Sequence, residues 1–335
     1  MKRAFVRAFV VLAAVAGLVL GLGPNPTPAE AAAKHKFALI LPGPVEDSDY
    51  NYLGYQVVQH IKQRFQIPVS YSERISPADA ERVAREYIAS GYTIVGFHGG
   101  QFIRIIKKLA PKFPGVAFVM ESSGKFPNPP NVWNIGRRYT EAFHAFGVLA
   151  GMSTKTNKVG VIAGIPLPDF KGSINTIWDA LHKTNPKAEL IYAFTGDQND
   201  PLKARQTAEA QIAAGVDFII NMVNLGVYGV VEAAKRAKGK VLITTFYTDK
   251  SDKAPDHFAG TLLIDFRPPY TTVVQGVLDG KKGGYVSMRP GSGFEIAALY
   301  NVSLEAAKRT KALFDKVVRR EVVPRFEIKK VRLTK

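Results

Sequence analysis

Two stretches of the chain share one pattern of proline, glycine and small residues. The first is SPADAERVAREYIASGYTIVGFHGG (76–100) and the second is DPLKARQTAEAQIAAGVDFIINMVN (200–224). Each predicts a helix that begins at a capping residue followed by proline, ends at glycine (Gly91 or Gly215) and leads into a buried strand. All βα units share capping rules, but the identical register favours a true duplication. We therefore expect two similar lobes.

Short apolar strands alternate with amphipathic helices after residue 35. This alternation is typical of an α/β fold in which helices cover both faces of parallel sheets. Ligands of such sheets bind at the carboxyl ends of the strands, so two facing lobes would enclose a cleft. The predicted strands are 36–41, 68–72, 93–97, 116–120, 131–135, 158–163, 188–194, 216–221, 240–245 and 258–264.

The first 33 residues have the pattern of a targeting segment. Basic residues precede the apolar run 8–23, and small residues suited to a signal peptidase fill 24–33. We expect cleavage and export; an uncleaved membrane anchor is the alternative, since the apolar run falls just short of a membrane span. The chain has no cysteine, which excludes disulfides, thiolate metal sites and a lipid-bearing N-terminal cysteine.

The sequence lacks the usual catalytic and cofactor motifs. It contains no phosphate-binding or dinucleotide-binding glycine pattern, no H-E-x-x-H and no G-x-S-x-G, and its six histidines have no metal-ligand spacing. We expect no enzyme activity, cofactor or metal. The formal net charge of +17 is spread along the helices without an RNA-binding aromatic signature, so we expect no nucleic-acid partner.

Aromatic, amide and carboxylate side chains follow the predicted strands. Flat rings offer stacking faces, and amides and carboxylates bind polar edges, so this set predicts recognition of a small polar aromatic ligand such as a purine. For each residue the alternative is a structural role, such as a helix cap, a packed tyrosine or a backbone-bonded histidine. The candidate residues are Tyr50, Asn51, His98, Glu121, Phe170, Asn221, Asn224 and Tyr247.

The segment VEDSDYNYLGYQ (45–56) connects the first strand to the first helix. Helical spacing of apolar residues over 52–65 predicts that helix, and Asn51 is placed to cap it. Tyr50 would then precede the helix, with its ring projecting into the cleft. On this interpretation, its substitution would barely affect folding.

The chain resembles the basic membrane protein family of exported solute-binding proteins, relatives of purine nucleoside receptors of ABC transporters. The segment AGMSTKTNKVG (150–160) is close to the family's AG-x-x-TKT-x-KVG, and KTNP (183–186) and NDPLKARQTAEAQIAAGVDFI (199–219) follow one branch of it. The resemblance extends from about residue 36 to residue 320.

The resemblance implies a type I periplasmic binding protein, with two doubly wound parallel-sheet lobes joined by a three-strand hinge. After a signal peptide at 1–33, lobe one would comprise 34–136 plus 246–284. Lobe two would comprise 137–245 plus 285–335. Hinge motion would close the lobes around the ligand.

The resemblance also implies ligand contacts. The family's stacking aromatic falls on Tyr50, beside Asn51, and an acidic contact falls on Glu121. Tyr247 stands where nucleoside receptors have an aspartate for ribose, and Arg267 stands where they have a lysine. Asn175 joins the candidate ligand-binding set. The resemblance therefore leaves open whether the ligand is a nucleoside, a free base or another flat solute.

Three functions follow from these expectations. The first is the extracytoplasmic, monomeric receptor of an ABC importer, which binds a purine, nucleoside or similar flat solute and delivers it to a membrane permease. The second is a ligand-sensing receptor of the same fold that signals to a membrane partner. The third is a nucleoside-processing enzyme, which the empty set of catalytic motifs disfavours.

Overall fold

The computed structural model describes residues 34–327. Within them the chain forms twelve strands, arranged as two six-stranded halves of one continuous sheet. The strands are β1 (Phe37–Ile40), β2 (Val69–Ser72), β3 (Ile94–Phe97), β4 (Ala117–Ser122), β5 (Val132–Arg137), β6 (Lys158–Ala163), β7 (Glu189–Phe194), β8 (Phe218–Met222), β9 (Leu242–Tyr247), β10 (Phe258–Ile264), β11 (Gly284–Pro290) and β12 (Gly293–Ile296).

Helices cover both halves of the sheet. The α-helices of the described chain are α1 (Tyr50–Phe65), α2 (Ala80–Ala89), α3 (Ile103–Leu109), α4 (Tyr139–Ser153), α5 (Pro168–Thr184), α6 (Pro201–Ala213), α7 (Val227–Arg236), α8 (Arg267–Leu278) and α9 (Leu304–Val318).

The strand order gives two lobes of similar topology. Lobe one has the order β2-β1-β3-β4-β5-β11, and lobe two has β12-β10-β9-β8-β6-β7. Neighbouring strands within each half are parallel, apart from the antiparallel pair β10–β12. Open sheets of this kind have both faces buried, as the fully buried β1 and β3 show. The predicted α/β class and the ten predicted strands are confirmed.

The duplication is visible in the way the two matching helices end. Gly91 and Gly215 both take left-handed backbone angles, with φ of 81° and 94°. Lys36 donates from Nζ to the carbonyl oxygen of Ser90 at 3.2 Å, and Lys158 donates to that of Ala214 at 2.8 Å. Each lysine lies at the start of the first strand region of its lobe. In each lobe, therefore, a lysine at the equivalent position binds the carbonyl group at the end of the matching helix.

The chain crosses between the lobes three times, but two crossings differ from the expected boundaries. Residues 246–264 belong to lobe two, because β10 pairs in parallel with β9. Residues 284–290 belong to lobe one, because β11 pairs with β5. The chain therefore crosses after β5, after β10 and after β11. Strands β11 and β12, which the sequence pattern did not predict, pair with each other and join the two halves of the sheet.

The expected signal peptide at 1–33 lies outside the described residues. Between residues 34 and 327, no helix has both the length and the apolar character needed to cross a membrane.

Candidate functional site

A cavity of about 390 Å³ lies between the lobes, at the carboxyl ends of their strands. Four aromatic side chains line it, together with amides, one arginine and two aspartates. The lining residues are Pro42, Gly43, Tyr50, Asn51, Gly100, Gln101, Arg137, Tyr139, Ile165, Leu167, Asp169, Phe170, Gly196, Asp197, Gln198, Asn199, Asn224 and Tyr247.

The carboxylate of Asp47 holds the turn that enters α1. Its Oδ1 accepts the backbone N–H groups of Asp49 and Tyr52 at 2.9 and 3.0 Å, and its Oδ2 accepts that of Asn51 at 3.0 Å. Asp47 therefore satisfies the free amides of the first turn. The prediction that Asn51 caps the helix is wrong: its amide donates to Asp47 Oδ2 at 2.7 Å and accepts from the N–H of Gly43 at 2.9 Å.

Tyr50 is the first residue of α1 and not a free loop residue. Its ring stacks on His98 with centroids 4.0 Å apart and an interplanar angle of 19°. Phe266 contacts the ring edge-on at 5.7 Å, and Tyr247 is tilted against it at 5.4 Å. The expectation that the ring of Tyr50 has no packing partner within the protein is wrong. One face of the ring packs on His98, and the residue also lines the cavity.

Glu121 is the centre of a buried polar cluster behind Tyr50. Its carboxylate accepts from Tyr270 Oη at 2.9 Å, from Tyr50 Oη at 3.1 Å and from Arg137 Nη1 at 3.4 Å. His98 Nδ1 lies 2.7 Å from its Oε1, and His98 Nε2 lies 2.8 Å from the carbonyl oxygen of Tyr50. Both partners of His98 are acceptors, so each ring nitrogen is placed to donate to one of them.

Arg137 joins this cluster to lobe two. It ends β5, and its Nη1 donates to Tyr50 Oη at 3.2 Å while its Nη2 donates to Asp169 Oδ2 at 2.9 Å. The side chains of Arg137 and Asp169 are 6% and 4% exposed, and Asp169 lies in the first turn of α5. The guanidinium also lies over the ring of Tyr139, 5.4 Å from its centroid. One cation thus balances carboxylates from both lobes.

Burial and charge act in opposite directions on the two carboxylates. Burial alone would raise the pKa of Glu121, but His98, Arg137 and the hydrogen bond from Tyr270 outweigh it and hold the pKa below its ordinary 4.5. Burial raises the pKa of Asp169, and the attraction of Arg137 offsets this only in part. Glu121 is therefore the firmly ionised member of the cluster.

The depressed pKa predicts how acid affects a Glu121→Gln variant. A carboxyl whose pKa is lower in the folded state stabilises the fold above about pH 4.5, and this contribution disappears as the pH falls through the folded-state pKa. The difference in unfolding free energy between wild type and variant should therefore shrink from pH 7 to pH 3 in urea titrations. Glu86→Gln, at an exposed ion pair, should differ from wild type by less than about 0.5 kcal/mol throughout. A difference that stays constant with pH would contradict this account of Glu121.

Five of the ten candidate residues line the cavity. Tyr50 and Asn51 reach it from lobe one, and Phe170, Asn224 and Tyr247 reach it from lobe two. Tyr247 ends β9 with φ of +80°, an unusual backbone conformation for a bulky residue, and its ring stacks on Phe246 at 3.7 Å.

Four other candidates lie behind the cavity wall. His98 and Glu121 are fully buried beneath Tyr50, and Asn221 is buried at the end of β8 with its amide 3.5 Å from the carbonyl oxygen of Val223. Asn175 donates to the carbonyl oxygen of Glu327 at 3.0 Å and thereby holds the C-terminal segment on α5. These positions give the four residues supporting roles in the structure.

The structure places Arg267 outside this cavity, and its expected ligand contact stays a prediction. Its guanidinium binds Asp265 through two hydrogen bonds of 2.8 and 2.9 Å, and its side chain is 48% exposed. It lines a separate depression of about 500 Å³ with Asp249 and Glu295. The physical reason is that Arg267 begins α8, where the carboxylate of Asp265, two residues earlier, binds its guanidinium.

Sequence reasoning missed Arg137, Tyr139 and Asp169, which contribute much of the cavity's charge and aromatic surface. The predicted strand ended at residue 135, whereas β5 continues to Arg137. The available signal was the basic pair after the buried run NVWNIG, because a strand end is where ligand-contacting residues are expected.

Within residues 34–327, no group of three histidine, aspartate or glutamate side chains is placed to hold a metal ion.

The profile of the Bmp family, described as PnrA-like ABC transporter substrate-binding proteins, matches residues 34–289. The chain belongs to the Bmp family. A purine-binding protein of Brucella abortus is 25% identical over 296 residues, which cover 84% of this chain and 81% of that protein. Membership confirms the resemblance stated from the sequence. The family is one of ABC transporter substrate-binding proteins, and the absence of enzyme activity in this chain stays a prediction.

Solved structures support the fold. A solute-binding protein of an ABC transporter system from Aeropyrum pernix has a TM-score of 0.76 at 17% identity, covering 87% of this chain and 94% of that one. Another from Conexibacter woesei has a TM-score of 0.66 at 21% identity, covering 87% and 99%. Bmp-family proteins work outside the cytoplasm, bind a small molecule and serve a membrane permease. The monomeric state stays a prediction.

Proposed function

We propose that this Bmp-family protein is the receptor of an ABC importer for a purine base or a purine nucleoside. The observation that carries the proposal is the cavity between the lobes, where the rings of Tyr50, Tyr139, Phe170 and Tyr247 surround a space of about 390 Å³. This volume lies near the lower end of the range for small-molecule sites, about 300–1,000 Å³. Such a cavity suits one flat, compact solute.

The polar lining supports the same ligand class. The amide of Asn51 offers a donor and an acceptor, and the amide oxygen of Asn224 offers an acceptor. The neighbouring Arg137 and Asp169 offer a cationic donor beside an anionic acceptor. A purine carries adjacent donors and acceptors on the edge of a flat ring, so its edge and its face find partners in the same cavity. The relative from Brucella abortus is named a purine-binding protein, which agrees with this assignment.

Calorimetric titration tests the proposal directly. Purified protein should bind adenine, guanine, hypoxanthine or one of their nucleosides saturably with one ligand per chain, and glucose should produce no heat of binding. Native mass spectrometry of protein purified from its own host should show a retained mass that matches a purine compound. Saturable binding of glucose without binding of any purine would assign a different ligand class.

A further inference from the structure

Besides the Arg137–Asp169 pair, a group of polar contacts between the lobes converges on one turn of lobe one. Lys250, in the loop after β9 of lobe two, places Nζ 2.5 Å from Asp49 Oδ1, and Thr248 Oγ1 donates to the same oxygen at 2.7 Å. The side chains of Lys250 and Asp49 are 4% and 1% exposed. The hydroxyl of Thr248 also lies 3.1 Å from the carbonyl oxygen of Ser48. A buried ion pair therefore fixes lobe two to residues 48–49.

A second contact reaches the same turn from β8. Asn224 Nδ2 donates to Asp47 Oδ2 at 3.1 Å and to Asn199 Oδ1 at 2.8 Å. Asp47 is the carboxylate that caps α1, and Asp49 directly precedes Tyr50. Any displacement of this turn would therefore move Tyr50, which lines the cavity from lobe one.

We propose that Lys250 is a positioning residue, which latches lobe two onto the Asp47–Asp49 turn and thereby holds Tyr50 against the closed cavity. Lys250 does not line the cavity, so it acts through Asp49 and not by contact with the ligand. The latch consists of Lys250, Thr248 and Asn224 from lobe two and Asp47 and Asp49 from lobe one. The proposal does not depend on the identity of the ligand.

A buried ion pair suits a latch better than a general stabilising contact. Desolvation of two charges offsets most of their attraction, but removal of one partner leaves an uncompensated buried charge. Burial raises the pKa of Asp49 even though Lys250 lies beside it, which indicates that desolvation is the larger effect here. While these two side chains are buried, an arrangement of the lobes that separates them leaves an unpaired buried charge and is costly. The ion pair therefore favours the one arrangement of the lobes in which the two charges meet.

Because the chain has no cysteine, two spin labels can report the separation of the lobes without interference. Lys107→Cys on α3 and Lys235→Cys on α7 are exposed positions on lobe one and lobe two. In this background Lys250→Met should lengthen the mean label distance by more than about 2 Å, the scale of domain rearrangements on binding. Lys253→Met, which removes a half-exposed ion pair with Asp252 from the same loop, should leave the distance unchanged.

A double variant separates a latch from a folding defect. Asp49→Asn combined with Lys250→Met removes both charges, so it should return the distance most of the way to the wild-type value, whereas Lys250→Met alone should not. Urea unfolding of each labelled variant would identify a loss of folding. Equal distances in wild type, Lys250→Met and Lys253→Met would overturn the latch, as would a double variant at least as open as Lys250→Met.

Discussion

Replacement of Arg137 by methionine should destabilise the protein by about 3–5 kcal/mol, the cost of removing one partner from a buried ion pair. The guanidinium is the cation that Glu121 and Asp169 share, at 3.4 and 2.9 Å, and all three side chains are nearly inaccessible to water. Without it, two carboxylates would lie in the same interior with less compensation. Urea or thermal unfolding at pH 7 measures the loss.

Two further variants show whether charge or geometry matters at this position. Arg137→Lys keeps the charge but cannot reach Tyr50, Glu121 and Asp169 with one planar group, so it should recover only part of the stability. Arg82→Met removes an exposed arginine from its pair with Glu86 and should cost less than about 1 kcal/mol. Similar losses for Arg137→Met and Arg82→Met would contradict the assignment of Arg137 as the shared cation.

Replacement of Tyr50 by alanine should reduce both stability and ligand affinity. The ring contacts His98, Phe266 and Tyr247, so its loss should cost about 2–4 kcal/mol of unfolding free energy, somewhat below the range for a fully buried aromatic. If a purine stacks on the ring, affinity should fall by about 1–3 kcal/mol, or roughly five- to 150-fold. Urea unfolding and calorimetric titration measure the two effects separately.

Tyr50→Phe should divide the two effects. The ring is retained, so affinity should stay near that of wild type, but Glu121 loses the hydroxyl donor at 3.1 Å and stability should fall by about 1–2 kcal/mol. Tyr52→Ala is the matched control, because Tyr52 lies in the same helical turn, is 39% exposed and does not line the cavity. Wild-type affinity in Tyr50→Ala would remove Tyr50 from the ligand site.

The architecture could be predicted from local pattern. Strand and helix positions depend on the spacing of apolar residues, and helix ends depend on residues such as Gly91 and Gly215, whose backbone angles are left-handed in the structure. These signals lie within about 25 consecutive residues, so a single sequence contains them. The edge of the sheet that carries the cavity followed from the same pattern, because ligands bind where parallel strands end.

The composition of the cavity could be predicted only in part. Tyr50, Phe170 and Asn224 could be predicted because each lies in a segment that follows a strand whose position the pattern shows. Which partner each side chain takes was not visible in the same way. Asn51 looked like a helix cap, but the carboxylate of Asp47 takes that role and binds the Asn51 amide as well.

The tertiary structure alone decided how charges and strands pair across the fold. Arg137 and Asp169 are 32 positions apart and belong to different lobes, and Lys250 meets Asp49 across 201 positions. The same holds for β11, which pairs with β5 and so moves residues 284–290 into lobe one. A local pattern shows which side chains are buried, but it contains no information on which distant charge or strand edge satisfies them. That choice is made when the lobes pack together, because a buried charge or an unpaired strand edge is costly until its partner is in place.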